Sequence, residues 1–298
     1  MKKRNYKNLL FVLPFFVFFL AFHLYPMLYT LFLSFTKYDG FKDPVLIGFK
    51  NYKDLIVNKY FWNSFINTWK IWLPNIGLQL IIALFTANWL TNARLKIKNI
   101  GFFRAVFYFP NLVTAASIAV LFIVILDWQH GALNQILFKQ ETGKYIYWMV
   151  NPARTQFIIS LIQTWMWFGV SMIILMAGIQ SIPSTYYEAA VIDGATEGQI
   201  FFKITLPLLM PVLTYVVITS LIGGMQIFDI PFVVSIGPGV VGEVEKALST
   251  MVVYLYNTGF RYNRMGYASS ISYMLFIITV CFSVIYLRIT KTSFGSVE

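Results

Sequence analysis

Six runs of mainly apolar residues stand out along the chain, near 9–36, 69–90, 105–126, 156–179, 208–230 and 268–288. A bilayer core takes about 20 such residues to cross as a helix, so each run predicts a membrane span. An even number of spans puts both ends of the chain on one side. The polar stretches on the other side, 37–65, 127–154 and 231–266, are too short to fold as separate domains. The first run follows a basic start, MKKRNYK, as a signal peptide would. It outruns an h-region and no A-x-A site follows, so it is expected to stay as a first helix.

The stretch between the fourth and fifth spans, about 180–206, breaks this pattern. Its sequence, YYEAAVIDGATEGQIFFKITLP from 186 to 207, parses as two short helices. Thr185-x-x-Glu188 reads as a capping box, with Ser184 after Pro183 as a further cap candidate, and Asp193-Gly194 ends the first helix with glycine at the left-handed position. A second box, Thr196-x-x-Gln199, opens a helix expected to end at Pro207. Helices this short are marginal in water, so the pair needs support. Tyr187, Ala190 and Val191 recur at helical spacing, and Phe201, Phe202, Ile204 and Leu206 make the second helix apolar. Part of that surface rests on the bundle. The small Ala189 and Ala190 leave room for another protein, which predicts a docking element for a cytoplasmic partner.

Several spans carry groups that are costly against lipid: Pro14 and Pro26 in the first, Lys70, Pro74 and Gln79 in the second, Gln163 in the fourth, and Gln226 and Asp229 at the end of the fifth. Such groups either serve helix packing or face a water-filled path. Gln163 and Trp167 lie four residues apart and so share a helix face, whereas Trp165 suits a packing or interfacial role. Aromatic faces with a few placed amides are what a small-molecule site combines.

Composition agrees with a membrane chain: 58% of the 298 residues are hydrophobic and 12% charged, against roughly 25% charged in a soluble domain. The net charge of +11 comes from basic clusters beside the spans, which anchor on anionic lipid headgroups rather than nucleic acid. Lys2, Lys3, Arg4 and Lys7, and then Arg94, Lys96, Lys98 and Arg104, sit in segments without acids. Opposite them Asp39, Asp43, Asp54, Glu141, Glu243 and Glu245 dilute the basic residues. Basic density therefore places both termini and the insert in the cytoplasm. Cys281 is the single cysteine. His23 and His130 lack metal-ligand spacing, and Gly143-Lys144 is followed by Tyr145 rather than Ser or Thr, so no P-loop is present.

The insert's residues, Glu188-Ala189-Ala190, Asp193-Gly194-Ala195 and Ile204-Thr205-Leu206-Pro207, resemble the EAA loop of the membrane-spanning subunits of bacterial ABC importers. The likeness extends to "YPMLYTLFLSFTKYD", "GFFRAVFYFPNLV", "GALN", "ITLPLLMPVL" and "YNTGFRYNRMGYASS", which look like the carbohydrate branch and its larger maltose-permease-type subunit. The family's glycine-rich "GGGP" reads "SIGPG" here. The resemblance implies an all-α membrane protein: residues 1–8 as a cytoplasmic N-terminus, then one permease domain over 9–298 with six transmembrane helices and a coupling-helix loop at 182–207. It implies ATPase coupling through Glu188, Ala189, Ala190, Asp193, Gly194, Ile204 and Pro207. Glu188 also completes its own capping box, and the two roles are compatible. By position relative to the EAA motif, the family's sugar contacts fall near Gln163, Trp167, Ser220, Gly224 and Ile227, with Gln226 and Asp229 close by. Implied partners are a second homologous permease, two ATPase subunits that carry ATP and Mg, an extracellular or periplasmic solute-binding protein, a sugar and membrane lipid. The chain itself would need no cofactor and sit in a bacterial inner membrane. The alternatives are an ABC permease for a non-sugar solute and an ion-coupled secondary transporter, the latter disfavoured by the lack of an internal repeat and of mid-membrane ionisable residues.

Overall fold

The computed structural model describes residues 7–92, 95, 97–138, 145–237 and 240–294, without the side chains of 7–10 and 291–294. Lys2, Lys3, Arg4, Arg94, Lys96, Glu141, Gly143 and Lys144 lie outside the described residues, as does the 238–239 part of SIGPG.

In chain order the elements are α1 (Lys7–Phe19), a π turn (Leu20–Leu24), α2 (Tyr25–Ser34), the strands β1 (Thr36–Lys37) and β2 (Val45–Leu46), α3 (Lys50–Val57) and α4 (Lys59–Thr91). Then come α5 (Ile100–Leu112), α6 (Ala115–Ile125), α7 (Ala132–Phe138), α8 (Pro152–Gln180), α9 (Ser184–Ile192) and α10 (Glu197–Ile200). A second π turn (Phe201–Thr205) leads into α11 (Leu206–Met225), followed by α12 (Asp229–Ser235), α13 (Glu243–Leu248) and α14 (Met251–Tyr256). A third π turn (Asn257–Arg261) precedes α15 (Met265–Phe294). Five helices are long and apolar enough to cross a membrane: Phe11–Ser34, Lys59–Thr91, Pro152–Gln180, Glu197–Ser235 and Met265–Thr290. The pair α5 and α6 makes a sixth if it crosses as one span. This is the all-α membrane architecture that the apolar runs predict.

Two spans depart from straight helices. The run at 105–126 is two helices meeting at 90°. Pro110 removes a backbone donor near the end of α5 and Val113 is extended. Thr114, at ψ 140, then starts α6 by accepting the Ser117 N–H on its hydroxyl. In the fifth span the helix stops at Met225, and Gln226, Ile227 and Phe228 intervene before α12. Non-helical backbone at membrane depth survives where protein or a cavity surrounds it, and the Ile227 carbonyl accordingly accepts the Thr250 hydroxyl at 2.7 Å.

The chain forms two compact units, one of Met1–Phe61 with Tyr254–Ile278 and a larger one of Trp62–Val253 with Thr279–Glu298. In the smaller, β1 and β2 pair antiparallel, Thr36 opposite Leu46. The buried Asn51 amide donates to the carbonyls of Ser34 and Thr36 at 2.9 and 2.8 Å. Asn58 donates to the phenols of Tyr254 and Tyr267 at 3.1 and 3.0 Å. Burial, and then the neighbouring Tyr267, push the Tyr254 phenol well above the usual tyrosine range.

The larger unit is organised by a ladder of polar contacts between α4 and α8. Gln156 Nε2 donates to Asn67 Oδ1 at 3.0 Å, the Ser160 hydroxyl to the Ile71 carbonyl at 2.7 Å, the Thr164 hydroxyl to the Asn75 carbonyl at 3.3 Å, and Gln79 Nε2 to the Ser171 hydroxyl at 2.6 Å. Positions 67, 71, 75 and 79 repeat every four residues, close to one helical turn. The partner numbers rise with them, so the two helices run parallel. Beyond the last rung the contact turns apolar: Ala83, Ala87 and Leu90 pack with Met172, Leu175 and Met176, and Leu209 and Leu213 of α11 complete a dry core. Small residues let the helices close in, as membrane helix pairs require. A side chain at Gly178 would meet Leu209 and Val212 of α11.

Candidate functional site: a cavity and a docking loop

Above that core, a cavity of about 390 Å³ opens between α4, α8, α11 and the break before α12, within the roughly 300–1,000 Å³ typical of small-molecule sites. The sequence-predicted residues meet there. Gln163 and Trp167 come from α8, Ser220 and Gly224 from the last turns of α11, and Gln226, Ile227 and Asp229 from the break and the start of α12. The interruption of the fifth span is what turns the last three into the cavity. Trp165, two positions from each of Gln163 and Trp167, instead sets its ring edge-on to Phe122 at 5.9 Å.

Gln163 is 9% exposed, and among the described residues its amide has no hydrogen-bond partner. Gln163 lines the cavity, so a group entering it finds a donor and an acceptor free. Asp229 is the charged residue among the described lining. The rest is aromatic, apolar, amide or hydroxyl, groups that stack and hydrogen-bond.

Trp72 and Asn75 are wall residues that sequence reasoning missed. The Trp72 indole N–H donates to the Ser220 carbonyl at 3.0 Å and its hydroxyl at 3.2 Å. Its ring lies so close to Gly224 that a Cβ there would fall on it. The available signal was spacing, since Trp72, Asn75 and Gln79 share a face with Thr68. Gln79, singled out as a costly polar residue, also lines the wall.

The insert 182–207 forms the second candidate site. α9 ends in a Schellman motif: the Gly194 N–H donates to the Val191 carbonyl at 3.1 Å and the Ala195 N–H to the Ala190 carbonyl at 2.9 Å, with Gly194 at φ +77. The capping box at Thr196 and Gln199 has both of its hydrogen bonds. The box expected at Thr185 does not form. Pro183, with its extended ψ of 134, is the N-cap and no side chain caps the helix, which leaves Thr185 inside the first turn. Nor does the second helix end at Pro207. The chain widens into the π turn, where the Leu206 N–H reaches back to the Phe201 carbonyl. Pro207 then stands at the second position of α11, directly after the π turn.

Ala190 is buried and the Tyr187 phenol lies 3.3 Å from the Thr205 hydroxyl, so this face fastens α9 to the start of the fifth span. Glu188, Ala189, Val191, Asp193 and Gly194 are exposed, Ile204 is half-buried and Pro207 is exposed. Ile192 is 85% exposed, which gives the outward face an apolar prominence. No cluster of three metal-binding side chains occurs among the described residues.

Comparison with known proteins gives the arrangement a context. Residues 79–292 match the family described as the binding-protein-dependent transport system inner membrane component. The chain is 35% identical over 298 residues to the probable ABC transporter permease protein YesP of Bacillus subtilis (strain 168), covering 98% of this chain and 92% of that one. It is 33% identical over 293 residues to the arabinooligosaccharides transport system permease protein AraP of the same organism, covering 96% and 89%. To the trehalose/maltose transport system permease protein MalF of Thermococcus litoralis it is 30% identical over 283 residues, covering 95% and 92%. Its fold superposes, with a TM-score of 0.82 over 97% of this chain and 96% of the other, on a chain from the crystal structure of a bacterial ABC transporter involved in the import of the acidic polysaccharide alginate, at 20% identity. The chain therefore belongs to the binding-protein-dependent transport system inner membrane components, the permease subunits of ABC importers.

Proposed function

We propose that this permease imports a sugar, an oligosaccharide or glycan fragment, through the cavity between α4, α8 and α11. The observation that carries the reading is the Gln163 amide, unpartnered among the described residues and facing the same cavity as Trp167, whose described lining holds no cationic side chain. Relatives named for arabinooligosaccharides, lactose and trehalose/maltose support it. Residues 9–298 act as one permease domain in a bacterial inner membrane, with residues 1–8 and the C-terminus in the cytoplasm. The complete importer pairs this chain with a homologous second permease, two ATPase subunits that bind ATP and Mg, and an outer solute-binding protein. A solved relative of the fold is described in complex with an alginate pentasaccharide-bound periplasmic protein.

The loop around Gly194 is the coupling element. Glu188, Ala189 and Asp193 present the surface that an ATPase groove receives, Ala190 fastens it, and Ile204 and Pro207 carry its movement into α11, whose far end lines the cavity. Closure of the ATPases draws the loops together and opens the permease outward, and hydrolysis resets it. Family membership sets aside the ion-driven alternative.

Two experiments test the reading. Gentle purification from native membranes should recover an ATPase, a second permease and a binding protein by mass spectrometry; isolation of a lone monomeric chain would refute the assembly. Gln163→Leu keeps the volume and removes the amide, so the half-saturating sugar concentration should rise about 2- to 10-fold per hydrogen bond lost. Unchanged kinetics of sugar uptake would take Gln163 out of the path.

A further inference from the structure

We infer that the segment 243–251 is a latched gate on the side of the cavity away from the dry core, and that Asn67 and Gln156 are its latch. The inference rests on the cavity being the solute path. Asn67 lies two turns before Asn75 on α4, and Gln156 two turns before Gln163 on α8, about 10–12 Å along each helix. α13 is clamped between them. The end of a helix has few intrahelical donors for its carbonyls, and two amides reach those of this one, the Lys246 carbonyl also accepting the Ser249 N–H at 3.2 Å. Asn67 Nδ2 donates to the carbonyls of Lys246 and Ser249 at 2.9 and 3.2 Å. Gln156 Nε2 donates to the Ala247 carbonyl at 2.8 Å and also to Asn67 Oδ1.

The start of α14 is held the same way, the Met251 N–H donating to the buried Thr68 hydroxyl at 3.0 Å. Ser64 and Ser249 bring their hydroxyls within 3.3 Å. The connection to the cavity is the Thr250 hydroxyl, which donates to the carbonyl of Ile227, a lining residue. Lifting the segment therefore moves the cavity wall. The two ends of the cavity are closed by different physics. The core side is sealed by packed Ala, Leu and Met side chains, which water does not loosen. The latch side is sealed by hydrogen bonds that water replaces at little net cost. A solute arriving with water releases the second kind of closure and not the first.

The test uses the assembled importer carrying Ser64→Cys, Ser249→Cys and Cys281→Ser, the last removing the native thiol. Oxidation in the resting state should form the disulfide, stop uptake, and be reversed by reductant in the same preparation, which separates a locked gate from a misfolded chain. A disulfide that forms while uptake continues overturns the proposal, and so does a pair that never forms in the resting state. A second variant, Gln156→Leu, removes two hydrogen bonds. One of the two, to the Ala247 carbonyl, holds the segment, so ATP hydrolysis measured without binding protein should rise roughly threefold, the worth of one average bond between membrane helices; an unchanged rate also refutes the latch. Failure of the cavity reading itself shows elsewhere, as unaltered uptake by Gln163→Leu.

Discussion

Gly194→Pro should abolish uptake while the bundle still inserts and folds. Gly194 sits at φ +77, a conformation that proline, fixed near −65°, does not reach. The change also deletes the N–H that donates to the Val191 carbonyl. Asp193, at φ −72 and ψ 0, is displaced as well, because the residue before a proline avoids that region. The Schellman turn has no alternative of similar energy, so α9 and α10 meet at a different angle and the exposed face of the loop no longer fits its partner. Gly194→Ala is the graded control. Nothing lies within 4 Å of a Cβ built there, so its only cost is the left-handed backbone, about 1–2 kcal/mol, and uptake should fall but persist. Uptake by membrane vesicles, alongside the amount of ATPase retained on purification, measures both. Normal uptake by the proline variant would remove the loop from the coupling path.

Gly224→Ala, one methyl group, should cost most of the transport rate. The added Cβ falls on the Trp72 indole, and Trp72 is tied by its N–H to Ser220 one turn away. The ring has to give up that hydrogen bond and turn into the cavity, or α11 has to move away from α4. Overpacking of this kind costs about 1–3 kcal/mol, and either response reshapes the wall. Combining Gly224→Ala with Trp72→Leu vacates the space and should restore much of the loss. Uptake by the single variant at the normal rate would mean that α4 and α11 do not approach this closely.

The sequence made legible those features that depend on neighbouring residues. The Gly194 turn and the Thr196 capping box follow from residues within six positions of each other, and both form. The shared face of Gln163 and Trp167 follows from helical periodicity alone. Features settled by distant residues were not legible. Thr185 matched the capping pattern, but Pro183 already occupied the cap. Pro207 signals a helix end in isolation, yet a π turn carries the helix through it. Trp72 looked like an ordinary span aromatic because only Gly224, some 150 residues on, reveals why the ring comes so close to α11. The carbonyls that Asn67 and Gln156 collect belong to residues 246, 247 and 249, and no local pattern announces them.

The polar ladder also bears on how the chain enters the bilayer during synthesis. α4 is the least apolar of the five long helices, because Asn67, Asn75 and Gln79 weaken it. The groups that satisfy them arrive much later: Gln79 and Ser171 are separated by 92 residues. At about 5–20 residues per second, the Gln79 amide spends roughly 5–20 s unmatched and that of Asn67 longer, so the residence of α4 in the membrane depends on the translocon or water at least until α8 emerges. Ribosome-stalled chains ending before α8 should therefore leave α4 extractable by alkali, and chains extending past it should hold α4 fast.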